Sequence, residues 1–505
     1  MKLLFTYILF YASIALNSNY AQCLNIVPQP VHEITTNDKF ILGNGSSIFV
    51  YSNNKELLRL AELLKNSIQK RTGIRIKIKK GNSKRGIFIK LGKNYNIKKD
   101  GYELTINKKI IELKGSNYGG IFYGIQTLNM ILNKDTNVYF PGCKIVDYPR
   151  YTYRGFMLDA SRHIQSIDFV KKILDVMALL KLNTFHWHLT DDEGWRIESA
   201  KYPKLNRIGS YLDSLNSKER NGYYTKQEIR EILNYAESSY IKVIPEIEMP
   251  GHSRAVMDSY PDLLCPSDSG GNTFCAGNNL DYEFIMNVIK EVLNVFKPVI
   301  IHIGGDERQK GIWEKCPRCR EMLSFQNLSD EDMLQHYFMN NICRFISSKG
   351  VKTLAWAFDI AGGVPQDQIV EGWHPGESYE AASQGYYTVN ADNIYTYFDY
   401  PSYKRKDKPD WMPVLNLEKV YSFNPTPDSL KENKRKYVIG SECALWTELV
   451  YENDIQYQLF PRILAFSEVA WSLPINKNYD NFFTRVQNIK PFINSTGFEF
   501  ERGEW

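Results

Sequence analysis

The chain has 505 residues, of which 43% are hydrophobic and 24% are charged, and its formal net charge is +5. This length exceeds one ordinary domain and predicts two or three, with enough apolar residues to form a large core. The positive charge is spread along the chain and no Lys/Arg block lies on an amphipathic helix, so the sequence does not favour a nucleic-acid or membrane-surface partner.

The first 22 residues have the pattern of an export signal. Lys2 precedes an apolar run over residues 3–16, and small and polar residues follow it. The run is shorter than the roughly 20 apolar residues that cross a bilayer, so residues 1–22 are predicted to be a cleavable signal peptide. Cys23 is a candidate for a lipid anchor, although the three residues before it match a lipoprotein cleavage motif poorly. We therefore expect an exported protein that is periplasmic, secreted or surface-anchored and has no membrane span.

Residues 23–148 show the pattern of a small α+β domain. Leucines at helical spacing predict one helix over Lys55–Arg71, and a second helix is predicted over Gly119–Ile131. The β-type runs around these helices are Ser47–Tyr51, Arg75–Lys79, Gly86–Leu91, Tyr102–Ile106 and Ile110–Lys114. The region has no paired acids and no histidine cluster, so we interpret it as a scaffold.

From residue 149 to residue 505 the predicted strands and helices alternate. The eight predicted buried strands are Arg154–Leu158, Thr184–Leu189, Lys242–Ile247, Val299–Ile303, Thr353–Ala357, Gln368–Gly372, Tyr386–Val389 and Tyr437–Gly440. The predicted amphipathic helices are Ile167–Leu180, Lys226–Ser239, Tyr282–Phe296, Asp330–Ser348 and Ile455–Trp471. Eight β-α units in about 350 residues predict an α/β protein with a (β/α)8 TIM barrel. A doubly wound open sheet is the structural alternative, but no glycine-rich phosphate loop follows the first strand.

Two adjacent acids follow the fourth predicted strand. In a (β/α)8 barrel the chemistry takes place at the carboxyl ends of the strands. There, Gly304 and Gly305 precede Asp306 and Glu307. Repulsion between neighbouring carboxylates raises the pKa of one of them, and the protonated partner can then act as a general acid. The alternatives are a pair of solvated loop acids or a metal site.

Tryptophans and one arginine also lie near the predicted strand ends. Trp356, Trp373 and Trp446 follow strands five, six and eight, where their faces could line a pocket and stack on a sugar ring. Core packing is the alternative for each tryptophan. Arg154, at the first strand, is a candidate to bind two sugar hydroxyls, with a structural ion pair as the alternative.

Histidines near the strand ends offer a different hypothesis, a catalytic metal. His186 and His188 share one face of a strand, and His163, His252 and His302 would supply further ligands, as in barrel metallohydrolases. However, His302 lies inside a strand and is expected to point into the packed interior. We therefore expect neither a catalytic metal nor a cofactor.

Four cysteines form a separate group of interest. Cys316-Pro-Arg-Cys319 resembles half of a zinc knuckle, and Cys265 and Cys275 could supply the other half. The spacing is irregular for a structural zinc site. Because thiols of exported proteins tend to pair, a disulfide is expected here and zinc is the alternative.

Taken together, the motifs resemble those of the β-N-acetylhexosaminidases of glycoside hydrolase family 20. The matching segments are Arg154–His163, His186–Arg196, Pro245–His252, His302–Glu307, Tyr397–Asp399 and Trp446–Glu448, in the order of the family. The segments Ile26–Pro30 and Gly119–Leu128 resemble its small N-terminal domain. The resemblance covers almost all of the chain after the predicted signal.

The resemblance implies an exo-acting hydrolase that releases terminal β-linked N-acetylhexosamine from glycans with retention of configuration. In this family the 2-acetamido oxygen of the substrate acts as the nucleophile. Glu307 would then protonate the leaving oxygen and later activate water. Asp306 would orient the acetamido group, and Tyr397 would hydrogen-bond to its oxygen.

The resemblance also implies which residues bind the substrate: Arg154, Asp191, His252, Trp356, Trp373, Asp399, Trp446 and Glu448. Arg154 and Glu448 would hold the ring hydroxyls with the assistance of Asp399. Asp191 and His252 would support the catalytic acid. The three tryptophans would form the pocket walls.

One segment departs from the family pattern. After strand five the family often has a tryptophan followed closely by two acids, whereas Trp356-Ala-Phe-Asp359 is more apolar. The preference for a particular linkage therefore does not follow from the resemblance. A sugar-binding lectin on a decayed barrel is the non-enzymatic alternative, and the presence of the acid pair and Tyr397 disfavours it.

Overall fold

The computed structural model describes residues 24–51, 54–92, 97–212, 221–365, 367–405 and 408–501. The export signal predicted over residues 1–22 and the candidate anchor Cys23 lie outside these ranges. Within them, no helix combines the length and the apolar character needed to cross a bilayer. The described chain forms two compact units. The first contains the residues up to Pro149 together with the later segment Phe483–Ile489, and the second contains all the others.

The first unit is built on one mixed sheet and two helices. Its strands are β1 (His32–Ile41), β2 (Ser47–Val50), β3 (Lys77–Lys80), β4 (Gly86–Leu91), β5 (Tyr102–Ile106), β6 (Ile110–Gly115), β7 (Asn133–Lys134) and β8 (Val138–Asp147). They pair in the order β1-β8-β5-β6-β4-β2-β3, and β7 pairs with β8. The helices are α1 (Lys55–Thr72) and α2 (Tyr118–Ile131), close to their predicted bounds.

Local chemistry sets the ends of α1. The Asn54 side chain accepts hydrogen bonds from the backbone N–H groups of Glu56 and Leu57, which satisfies donors that the first turn leaves free. The helix ends at Gly73, whose φ of +75° is accessible at low cost only without a side chain. The Leu57, Leu60 and Leu64 side chains are buried, as their helical spacing predicts.

The second unit contains a closed parallel barrel. Its strands are β9 (Tyr153–Asp159), β10 (Thr184–His188), β11 (Thr190–Asp191), β12 (Gly194–Trp195), β13 (Lys242–Glu246), β14 (Ile300–His302), β15 (Lys352–Trp356), β16 (Gln368–Gly372), β17 (Thr388–Asn390) and β18 (Val438–Leu445). Strands β11 and β12 form a small antiparallel pair, and the other eight strands close the barrel. The predicted (β/α)8 barrel is therefore confirmed, and the open-sheet alternative is wrong.

The last barrel strand is longer than predicted. It was expected to end at Gly440, but β18 continues to Leu445, and Glu442, Cys443 and Leu445 pair with residues of β9. Ser441 and Glu442 are polar, so the apolar pattern did not extend the predicted strand through them. The Glu442 side chain instead points into the barrel, where Tyr153 donates a hydrogen bond to it at 2.5 Å.

Helices and turns lie between the barrel strands and after the last of them, and the final helix includes Phe483–Ile489 of the first unit. The helices are α3 (Ile167–Leu179), α4 (Lys226–Ser238), α5 (Arg254–Ser259), α6 (Asn279–Phe296), α7 (Ile312–Lys315), α8 (Pro317–Phe325), α9 (Glu331–Ser347), α10 (Glu377–Gln384), α11 (Asn393–Thr396), α12 (Leu417–Ser422), α13 (Glu452–Leu459), α14 (Arg462–Trp471) and α15 (Tyr479–Asn494). Short 3-10 or π turns occupy Leu205–Gly209, Pro261–Leu263, Ile360–Gly362, Glu432–Tyr437 and Pro474–Asn476. The helix predicted over Ile455–Trp471 is divided into α13 and α14, because Pro461 has no N–H to continue the helix.

The barrel interior has an apolar layer below a polar one. Toward the amino ends of the strands, the buried side chains that pack together are Tyr153, Ile244, Leu354, Ile369 and Val389. Toward the carboxyl ends, the Glu246 carboxylate lies 3.0 Å from His186 and 2.6 Å from His302. Trp356 also donates a hydrogen bond to it at 2.8 Å. The base of the barrel mouth is therefore a buried polar network.

Candidate active site

Two glycines present the acid pair at the carboxyl end of β14. Gly304 and Gly305 have φ values of +60° and +111°, and Glu307 itself has a φ of +43°. A Cβ atom on Gly304 would lie 1.8 Å from Glu248 Oε1, so no side chain fits there. The same Glu248 oxygen accepts the N–H of Gly305 at 3.1 Å. Glu248 thus fixes the turn that carries Asp306 and Glu307.

Glu307 stands at the end of a chain of charged contacts. Its Oε2 lies 3.4 Å from His252 Nε2, and His252 Nδ1 lies 3.2 Å from Asp191 Oδ1. Asp191 in turn contacts His188 and Arg162, each at 2.9 Å. Burial alone would lower the pKa of His252, but the Asp191, Asp192 and Glu307 carboxylates raise it well above the usual range. His252 is therefore an imidazolium beside Glu307, and Asp191 and His252 lie where the resemblance placed them.

The pKa order of the acid pair differs from the sequence prediction. The roles that the resemblance implies require an ionised Asp306 beside a protonated Glu307. Instead burial, together with the negative charges of Glu246 and Glu307, raises the pKa of Asp306 to about 6. The interaction with His252 lowers the pKa of Glu307, whose side chain is 58% exposed. Adjacency in sequence could not show which of the two acids meets the imidazolium.

Asp306 also carries an unused acceptor. Its Oδ1 atom is buried and has no hydrogen-bond partner among the described residues. Burial and the Asp306 charge raise the pKa of Tyr397 well above its usual value, so the Tyr397 hydroxyl stays protonated. The site thus offers an acceptor at Asp306 and a phenolic donor at Tyr397.

Trp446 is the aromatic centre of the mouth. Its ring centroid lies 5.1 Å from that of His188, 5.9 Å from that of Trp356 and 6.0 Å from that of Tyr397. The structure therefore brings together Tyr397 and two of the three predicted tryptophans.

The other two tryptophans differ in exposure. Trp356 is only 1% exposed and contributes little accessible surface to the mouth, because its indole packs into the polar layer of the barrel. Trp373 is partly buried, and its ring centroid lies 3.6 Å from that of His374. Its backbone N–H donates to Glu377 at 2.9 Å, which orients this residue after β16.

Arg154 does not lie at the mouth, so its predicted role in sugar binding is wrong. It is the second residue of β9, at the amino end of the barrel, and it is fully buried. Its guanidinium donates to the carbonyl oxygens of Lys181 and Tyr151, each at 2.7 Å, and packs over the Trp471 ring. Arg154 is therefore a structural residue.

Arg162 is the arginine that sequence reasoning missed. It contacts Asp191 at 2.9 Å, Asp159 at 3.4 Å and Glu448 at 3.6 Å. Its guanidinium carbon also lies 5.2 Å from the centre of the Trp446 ring. Arg162 comes after the carboxyl end of β9, so the rule that chemistry gathers at strand ends would have selected it over Arg154.

Asp399 and Glu448 add acidic groups to the same mouth. Burial, with a smaller effect of Glu448, raises the pKa of Asp399 to about 8. Asp399 Oδ1 is buried and makes no hydrogen bond within the described part of the chain. Glu448 is 45% exposed and pairs with Arg162. These groups can bind a ligand rich in hydroxyls.

The histidines fall into separate groups rather than one metal site. His186 and His302 are fully buried around Glu246, and the inward orientation predicted for His302 is confirmed. His252 lies with Asp191 and Asp192 instead. His163 packs its ring against Tyr451. The mouth is thus lined by acids, one arginine and aromatic rings.

The chain matches known protein families along almost its whole described length. Residues 151–474 match the profile "Glycosyl hydrolase family 20, catalytic domain", and residues 24–148 match "Glycosyl hydrolase family 20, domain 2". A β-hexosaminidase of Porphyromonas gingivalis is 34% identical over 500 residues, which is 93% of this chain and 63% of the relative. One of Vibrio furnissii is 31% identical over 482 residues, which is 88% of this chain and 76% of the relative. The chain thus spans less than two thirds of the Porphyromonas relative.

Solved structures show the same similarity. An exo β-N-acetylglucosaminidase from Vibrio harveyi, in complex with N-acetylglucosamine, has a TM-score of 0.87 and 29% identity, covering 95% of this chain and 78% of that one. A β-N-acetylhexosaminidase from Bacteroides fragilis has a TM-score of 0.84 and 30% identity, covering 94% and 96%. The resemblance found in the motifs is therefore confirmed, and the chain belongs to glycosyl hydrolase family 20.

Proposed function

We propose that this family 20 enzyme is a β-N-acetylhexosaminidase that releases terminal β-linked GlcNAc or GalNAc from oligosaccharides or glycoconjugates. One observation carries the proposal: Asp306 holds a buried, unpaired acceptor directly beside the exposed acid Glu307. That combination fits a sugar with an acetamido group next to its reacting carbon. The N-acetylglucosamine bound to the Vibrio harveyi relative supports the same sugar class.

The nucleophile is the acetamido oxygen of the substrate. It attacks the anomeric carbon as the glycosidic bond breaks, which gives an oxazolinium ion. Asp306 Oδ1 accepts the acetamido N–H and stabilises the positive charge that develops there. Tyr397 donates its hydroxyl to the acetamido oxygen and holds it in line for attack. Water then opens the oxazolinium ion, and the two displacements retain the anomeric configuration.

Glu307 acts as the general acid and then as the general base. In the free protein its exposed side chain and the nearby imidazolium favour the ionised form. A bound sugar covers this side chain, and loss of water raises the pKa of a carboxyl group. After Glu307 has protonated the leaving oxygen, the His252 imidazolium, anchored by Asp191, stabilises the resulting carboxylate. The carboxylate next removes a proton from the attacking water.

Arg162, Asp399 and Glu448 bind the ring hydroxyls. The four ion pairs of Arg162, with Asp159, Asp191, Glu193 and Glu448, hold its guanidinium over the Trp446 ring. The unpaired Asp399 Oδ1 and the half-exposed Glu448 supply acceptors for hydroxyl donors. Trp446 presents a ring face for stacking. A pocket of this kind holds one terminal sugar, which agrees with exo action.

Glu307→Gln tests the acid role. It should remove most turnover of a chromogenic β-GlcNAc glycoside, because general acid catalysis contributes about 10²–10⁴-fold. Glu237→Gln, on the exposed surface of α4, is the matched control and should retain full activity. Full activity of Glu307→Gln would refute the assignment.

The nucleophile needs a separate test. Replacing the N-acetyl group of the substrate by N-trifluoroacetyl makes the carbonyl oxygen a weaker nucleophile. The rate should fall steeply if that oxygen attacks, whereas an enzyme carboxylate nucleophile would make the rate nearly insensitive to the change.

We also propose that the protein is exported and acts on extracellular or periplasmic glycans. The apolar run over residues 3–16 supports export, and Cys23 is the candidate lipid-modified residue.

The segment after β15 bears on the choice of linkage. Asp359 lies 3.1 Å from His336, so this acid is already paired with a residue of the same chain. The segment after β15 then offers few polar groups that could select one linkage to the second sugar. Hydrolysis rates on a panel of defined β-linked oligosaccharides will show the preference.

A further inference from the structure

A group of four buried cysteines lies outside the active site. Cys265 and Cys275 are in the segment between α5 and α6, whereas Cys316 directly precedes α8 and Cys319 lies in its first turn. All four side chains are fully buried. This group, named here the cysteine cluster, takes no part in the proposed hydrolysis.

The sulfur geometry fits one tetrahedral ion. Cys275 Sγ lies 3.8 Å from Cys316 Sγ and 3.6 Å from Cys319 Sγ, and all four sulfur atoms lie within 4.8 Å of one another. Four sulfurs placed about 2.3 Å from a central Zn²⁺ are separated by about 3.8 Å. A disulfide requires about 2.05 Å between sulfurs, and the described cysteines form none. The expected disulfide is therefore not present in this cluster.

We propose that Cys265, Cys275, Cys316 and Cys319 bind one structural Zn²⁺ ion. Each thiol lies near the other three, as a single central ion requires and as two separate disulfides do not. The complete burial of the four side chains leaves no open position for water or substrate, which is the mark of a structural rather than a catalytic zinc site.

Backbone groups around the cluster suit thiolate ligands. The backbone N–H groups of Ser267 and Gly277 lie close to the side chains of Cys265 and Cys275. In both cases the donor lies two residues after the cysteine, so the two loops have the same local form. Asp281 accepts the backbone N–H of Cys275 at 2.6 Å and fixes that loop. Such surrounding hydrogen bonds orient metal ligands and are typical of built metal sites.

The zinc ion joins two segments that carry parts of the active site. Cys265 and Cys275 follow His252 in sequence, and Cys316 and Cys319 follow Glu307. The segments also meet directly, because Trp313 donates its indole N–H to the Phe274 carbonyl at 2.9 Å. Phe274 in turn donates its backbone N–H to Pro250 at 2.9 Å, two residues before His252. Zinc therefore braces the loops that bring the imidazolium to the catalytic acid.

Metal content and thiol state of the full exported chain test the proposal. Protein purified without reductant or chelator should contain about one zinc per chain by elemental mass spectrometry, with the four cluster thiols unpaired in the denatured intact mass. Loss of four hydrogen masses would show two disulfides and overturn the proposal. So would four free thiols in protein that takes up no zinc after incubation with zinc chloride.

A variant pair tests the ligands. The double variant Cys316→Ser with Cys319→Ser should lose nearly all bound zinc and melt at a lower temperature. Cys343→Ser, a buried cysteine outside the cluster, is the control and should keep its zinc. If the double variant does not fold, Co²⁺ exchanged into the unmodified chain should give the intense visible bands of tetrahedral thiolate coordination, and their absence would overturn the proposal. Glu307→Gln should keep its zinc, so a failure of this site and a failure of the proposed function are distinguishable.

Discussion

The pH dependence of hydrolysis should report the pKa order of the acid pair. The reacting form needs an ionised Asp306 and a protonated Glu307. The pKa of Asp306 is raised to about 6 and that of Glu307 is lowered below 4.5. Because the pKa of Asp306 lies above that of Glu307, the reacting form is a minor fraction of the free enzyme. Since kcat/KM reports the free enzyme, its profile should be bell-shaped, with an alkaline limb near pH 6 and an acid limb below pH 4.5.

His252→Gln should move both limbs to higher pH. The imidazolium favours the charged form of both carboxyl groups, so its removal raises both pKa values. The contact between His252 and Glu307 is 3.4 Å, and Glu307 is largely solvated. In a water-like dielectric this distance gives about 1 kcal/mol, which corresponds to about one pKa unit. We expect the acid limb to rise by about that amount.

The assay is kcat/KM for a chromogenic β-GlcNAc glycoside, measured across the acidic and neutral range. His32→Gln replaces an exposed histidine of the first unit and should leave both limbs in place. Limbs that stay unchanged in His252→Gln, or that move to lower pH, would refute the charged role of this histidine.

Three further outcomes follow from the structure. Arg162→Ala should lower kcat/KM about hundredfold, since hydrogen bonds to charged groups contribute about 1.5–3 kcal/mol each. Arg154→Ala should instead lower the free energy of unfolding by about 3 kcal/mol, as measured in denaturant titrations. Gly304→Ala should lower kcat/KM about hundredfold, because a displacement of the acid pair by about 1 Å suffices for such a loss. Gly350→Ala is the control and should retain activity, since Gly350 also has a positive φ but an added Cβ would meet no atom within 4 Å. Amino-terminal sequencing of exported protein should begin at or near Cys23, and an intact Met1 would contradict cleavage.

The barrel could be predicted because its strands are buried on both faces. Gln368–Gly372 was predicted with both ends correct, since the β-branched Ile369 and Val370 are followed by a glycine that ends the strand pattern. The end of β18 could not be predicted in this way. Ser441 and Glu442 are polar, and only the closed barrel supplies the partners that let a carboxylate continue a strand.

The candidate site was predictable as a set of positions but not as a set of contacts. Strand ends located Asp306, Glu307 and Trp446 correctly at the mouth. Contacts decided the rest, because Arg154 lies at the amino end of β9 whereas Arg162 follows its carboxyl end. In the same way, the sequence grouped the four cysteines as a disulfide with zinc as the alternative, and only the distances between their sulfurs favour one central ion.

The contacts of the Glu246 carboxylate favour one pairing register of the barrel strands. Its neighbours come from three other strands: His186 from β10, His302 from β14 and Trp356 from β15. If one of these strands slipped by two residues, a charge would remain in the interior without its partners, at a cost of several kcal/mol. Apolar contacts tolerate such a slip far better, since any hydrophobic side chain of similar size can fill the space. The buried contacts of this one acid thus disfavour barrels whose strands pair in a shifted register, in which the active site could not form.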